Sequence, residues 1–152
     1  MTAKEKNGKI KLKYVFGFLL LLTVILSPPI KKYWLKDTAE ITEKEGITII
    51  AEESVTPTGG TFVLINETEE DISFGFMYRL EVNKNGTWKY LYVPGETPSD
   101  IIVVEAGGKQ TVVSDWKKSH GKLPQGRYRY VRNCGKVNEP SSFSAVYEFE
   151  IK

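Results

Sequence analysis

Apolar residues are distributed along this chain in two different ways. From Tyr14 to Ile30 they form one charge-free run, "YVFGFLLLLTVILSPPI", with lysines on both sides. From Gly46 onward they recur in short β-branched and aromatic segments, many with period two, separated by turn residues. The segments "GITIIAEES", "TFVLINET", "ISFGFMYRLEV", "TWKYLYV", "DIIVVEA", "KQTVVSDW", "RYRYVRN" and "FSAVYEFEIK" predict about seven to eight strands. In the third of these, Phe74, Phe76, Tyr78, Leu80 and Val82 share one face, with Gly75 a candidate bulge. Asn85-Gly86 supplies the positive φ angles of a tight hairpin. No helical period appears beyond the N-terminal run. Many short strands with frequent turns imply two packed antiparallel sheets.

"LPQGRYRY" sharpens that expectation. Leu123, a Pro-Gly turn and Tyr128 at the entry of a late strand fit a tyrosine corner, in which the buried ring sends its hydroxyl back to an upstream carbonyl. Tyr128 is therefore read as structural.

Charge separates the chain in the same place. The 152 residues carry 21 basic and 19 acidic side chains, yet residues 1–36 hold eight lysines against Glu5 alone. The remainder is acidic. Clustered basic charge thus flanks the apolar run rather than forming a phosphate-binding patch, so nucleic acid is not an expected partner. The run spans about 25 Å as a helix, just under the ~30 Å hydrocarbon core. Ser27-Pro28-Pro29 offers no small-residue cleavage site. Tyr14 and Tyr33-Trp34 stand where interfacial aromatics sit, and more lysines precede the run than follow it. The expected organisation is a cytoplasmic basic segment (1–13), a single-pass membrane anchor (14–34), a stalk (35–45, "LKDTAEITEKE") and an exported domain (46–152). Cleavage of the run, giving a secreted domain, is the alternative.

The strings "FVLINETEEDISFGFMYRLEVNKNGTWKYLYVP", "SDWKKSHGKLPQGRYRYVR" and "AVYEFEI" resemble the bacterial immunoglobulin-like family of exported, often membrane-anchored Gram-positive proteins. Asn66, Phe74-Gly75, Tyr78, Leu80-Glu81, Gly86, Trp88, Asp115-Trp116, Gly121, Leu123, Gly126, Tyr128-Arg129, Phe149 and Ile151 carry the likeness, which spans roughly residues 47–152. The resemblance implies an Ig-like sandwich, no catalytic residues and no cofactor. The loop "NCGKVNEPSSF" departs from the pattern by holding a cysteine.

Candidate chemistry is sparse. One cysteine, Cys134, and one histidine, His120, exclude an internal disulfide and a Cys/His zinc site. Together with Arg127, Arg129 and Arg132 they suggest an alternative, a cysteine-dependent envelope enzyme, although no threonine-rich strand precedes the cysteine and no arginine follows it. Ser114-Asp115-Trp116-Lys117 matches S-x-x-K, but it ends a strand and lacks the companion motifs. "NETEED" (66–71) lacks the ligand order of a calcium loop and reads as a solvated turn. Trp88, Tyr90 and Tyr92 share one strand face; buried they are core, exposed they are a platform for sugar or peptide. Arg127 and Arg129 share a face of the next-to-last strand, where they would grip an anionic wall polymer or pair across the sheet. The functional expectation is a non-catalytic, membrane-anchored extracytoplasmic module, contacting an unknown protein or wall polymer through these five residues.

Overall fold

A computed structural model describes residues 33–95 and 100–152. The charge-free run lies outside them, and among the described residues no helix is long and apolar enough to cross a membrane. Ten strands are present: β1 (Trp34–Asp37), β2 (Ile47–Ala51), β3 (Gly59–Asn66), β4 (Ile72–Gly75), β5 (Arg79–Lys84), β6 (Thr87–Tyr92), β7 (Ile101–Val104), β8 (Lys109–Asp115), β9 (Gly126–Lys136) and β10 (Phe143–Ile151). All pairings are antiparallel. The larger sheet runs β1-β6-β5-β9-β4-β7, with β10 on the other edge of β9, and the smaller runs β2-β3-β8.

The eight expected segments become ten strands for two local reasons. First, the 72–82 segment breaks after Gly75, so β4 and β5 share one edge of β9 in succession. Arg132 makes the break tolerable: its Nη1 donates to the carbonyls of Gly75 (3.0 Å) and Phe76, which the break exposes. Strict alternation fails there. Phe74, Leu80 and Val82 are buried, but Phe76 is exposed. Second, Trp34–Asp37, divided by the sequence reading between anchor and stalk, form β1 and pair with Asp37-opposed Lys89 through Tyr92 on β6. Tyr33 is buried in the core with its ring 6.0 Å from that of His120. The folded unit therefore includes Tyr33 and β1 and does not begin at residue 46.

Phe62 and Leu64 of the small sheet face Tyr128 and Tyr130 of the large one, with Trp116 and Leu123 closing one end. Phe62 stacks on Tyr130 at 3.9 Å, and Trp116 lies 6.0 Å from Phe149. Polar atoms inside this core are satisfied. Trp116 Nε1 donates to Pro57 O (2.9 Å), and the Ser114 and Tyr130 hydroxyls are 2.8 Å apart. Asn85 (φ 53°) and Gly86 (φ 85°) make the expected hairpin turn. Tyr128, fully buried, donates its hydroxyl to Pro124 O at 2.7 Å, the expected tyrosine corner. Burial pushes its pKa up to about 12.

Candidate functional site

The outward face of the large sheet collects the five residues singled out from the sequence. Trp88, Tyr90 and Tyr92 alternate on β6 with Lys89 and Leu91, as period two requires, and are half-buried. Cross-strand register sets Tyr90 opposite Glu81, and Glu81 opposite Arg129. Arg129 lies over Trp88, 4.5 Å from the ring centroid, and Arg127 is 5.7 Å away.

Neither arginine is a free cation. Arg127 Nε donates to Glu148 Oε2 at 3.1 Å and Arg129 Nε to Glu81 Oε2 at 2.6 Å. Glu81 is fully buried and also accepts from Arg79 Nε (2.7 Å) and from the Thr38 hydroxyl. What buries it is the segment read as a stalk. From Thr38 the chain crosses the sheet face to the far strand, where Thr42 O accepts from Ser144 N (2.7 Å), and Lys44 pairs with Glu70 (3.1 Å). A buried carboxylate held by two guanidiniums and a hydroxyl is an electrostatic clamp for this strap.

Two further expectations concern single groups. Cys134 is fully buried on β9, its thiol 3.6 Å from Arg132 O, and burial pushes its pKa up to about 11. A thiolate nucleophile requires the opposite shift. His120 sits elsewhere. Its Nε2 donates to Leu91 O (3.0 Å), since a carbonyl only accepts, so Nδ1 accepts from the Ser119 hydroxyl (2.9 Å). Burial holds its pKa below the ordinary value. The structure does not bring Cys134 and His120 together, and the cysteine-enzyme alternative has no assembled site. Ser114 is likewise spent in the core on Tyr130. In "NETEED", buried Asn66 donates Nδ2 to the carbonyls of Glu70, Val104 and Glu105, while Glu70 pairs with Lys44 and Lys136.

A concave surface that sequence reading missed lies at the break between β4 and β5. A cavity of about 370 Å³ is lined by Phe76, Met77, Tyr78, Tyr90, Val93 and His120 among others, with Asp115 and Ser119 as polar groups. Phe76 and Met77 are 49% and 46% exposed at its rim, and Ile101 and Val103 of β7 are 71% and 47% exposed. These four make up half of the exposed large apolar side chains among the described residues. They stand on β7 and just past the end of its neighbour β4, where Gly75 opposes Ile101, unlike apolar residues scattered singly over a surface. The signal was in "SFGFMYR": an apolar strand pattern interrupted by Gly75 and followed by Arg79 cannot keep every aromatic inward.

Residues 43–150 match the sequence model of a family described as bacterial Ig-like domain. No curated protein matches the chain. Among solved structures, it is similar to the ASH/PapD-like domain of human CEP192 (PapD-like domain 7), with 16% identity over 76% of this chain and 90% of that one, at a TM-score of 0.34.

Proposed function

The chain belongs to the bacterial Ig-like domain family, and on that premise we propose that it is a non-catalytic contact module, held at the outer face of a bacterial membrane by residues 14–30. The lysine-flanked run without a cleavage site supports the anchor, and its excess of preceding lysines supports export of the sandwich. Without cleavage the module stays with the envelope; if the run is removed, the same module is secreted.

The observation that carries the contact role is the apolar cavity with Phe76 and Met77 exposed at its rim, beside the exposed Ile101 and Val103 of the neighbouring strand β7. The face of Trp88, Tyr90, Tyr92, Arg127 and Arg129 is the second contact surface. With its arginines already paired, it suits an uncharged sugar or peptide better than an anionic polymer. A photoactivatable residue at position 76, and in a parallel strain at position 113 on the smaller sheet, tests the assignment in living cells. The expected result is a discrete adduct with an envelope component from position 76 and none from 113. Equal labelling from both positions, or none from either, contradicts it.

A further inference from the structure

β7 ends the larger sheet, and its outer edge has no partner strand among the described residues. The register fixes which of its groups face outward. Phe76 N donates to Asp100 O (3.1 Å), and Ile72 opposes Val104, Phe74 opposes Ile102 and Gly75 opposes Ile101. Hydrogen-bonded pairs alternate in an antiparallel ladder, so Asp100, Ile102 and Val104 bond to β4. The N–H and C=O groups of Ile101 and Val103 therefore point away from the sheet.

Their side chains are exposed too, because Ile102 and Val104 take the core face. Edge strands are commonly guarded by lysine, proline or a bulge. The four residues of β7, "IIVV", contain none of these. The charges flanking the strand, Asp100 and Glu105, are both acidic and exposed, and neither carries an ion pair among the described residues.

We infer that β7 is a docking edge for an extended segment of a partner protein, an apolar strand with basic residues at its ends. The inference rests on the contact-module reading and names the partner class for that surface. The backbone of Ile101 and Val103 supplies the main-chain hydrogen bonds of an added strand, and their side chains supply its apolar contacts. Asp100 and Glu105 select the charge of the partner's ends. A second copy of this chain is the poorer occupant. Two antiparallel β7 strands would bring Asp100 of each beside the Glu105 end of the other, setting like charges together at both ends.

The test uses the full chain in lipid nanodiscs and a short capped peptide alternating valine and threonine, with paired lysines at both ends. A second peptide replaces the lysines with glutamates. The lysine peptide is expected to slow amide exchange at Ile101 and Val103 and, at low salt, to bind about tenfold tighter than its glutamate counterpart. Val103→Pro removes one outward N–H, and Ile101→Lys sets a like charge against the peptide; each is expected to weaken binding about tenfold or more, with the tryptophan fluorescence of the folded protein unchanged. Because Ile101→Lys leaves the backbone intact, it decides the matter if the proline variant misfolds. Equal binding of both peptides, unchanged exchange at the two amides, slowing at β8 instead, or a dimer that Ile101→Lys dissolves would each overturn the inference. A labelled partner at position 76 alongside failure of the peptide would keep the contact role while discarding strand addition.

Discussion

Glu81 shows how much of this protein is decided by single side chains in register. It lies beneath the strap with Arg79, Arg129 and Thr38 as hydrogen-bond partners, so replacing it leaves two guanidiniums without their carboxylate. Glu81→Leu is expected to cost about 3–5 kcal/mol in urea unfolding, the size found when one partner of a buried pair is removed. Tyr128→Phe removes one buried hydrogen bond and is expected to cost about 1 kcal/mol. His120 gives a pH signature. Its folded pKa lies below the ordinary 6.5, so as pH falls past that value the unfolded chain takes up a proton that the folded one refuses. The stability is full above about pH 6.5 and declines as pH falls toward the lowered folded value; His120→Gln is expected to lose this decline in urea midpoints measured across pH. Tyr128 was legible in the sequence because its turn is local. Glu81 was not, because its partners lie on β5, β9 and the strap and meet only once register is set.

At the scale of elements, alternation and turn residues revealed a segment for each strand from β2 onward, with β4 and β5 merged, and Asn85-Gly86 placed the hairpin. The 72–82 segment was read as continuous because nothing local announces the distant guanidinium of Arg132 that satisfies the carbonyls at its break. β1 and the strap were hidden by composition. "LKDTAEITEKE" is polar because its residues lie on the sheet surface, not because the segment stands clear of the domain. A protein beginning at Gly46 lacks Tyr33, β1 and the Thr38 contact. It is expected to unfold at a clearly lower urea concentration than one beginning at Lys31, with tryptophan fluorescence reporting both transitions. Equal midpoints would show that the strap contributes nothing to the fold.

For the whole molecule, the sequence disclosed a two-sheet sandwich without a disulfide, and the structure accounts for its cohesion through stacked aromatic rings and satisfied core polar groups. The contact surface was less legible, since exposure of Phe76 and Ile101 depends on a strand break and a sheet edge that only tertiary pairing defines. For the proposed contact role, what the module can reach depends on which compartment the sandwich occupies. The most direct measurement is protease treatment of intact protoplasts carrying the full chain with a C-terminal tag, followed by blotting for the tag. The account predicts that the tag is lost from intact protoplasts while cytoplasmic proteins survive. A tag protected until the membrane is broken would place the sandwich inside the cell and contradict the account.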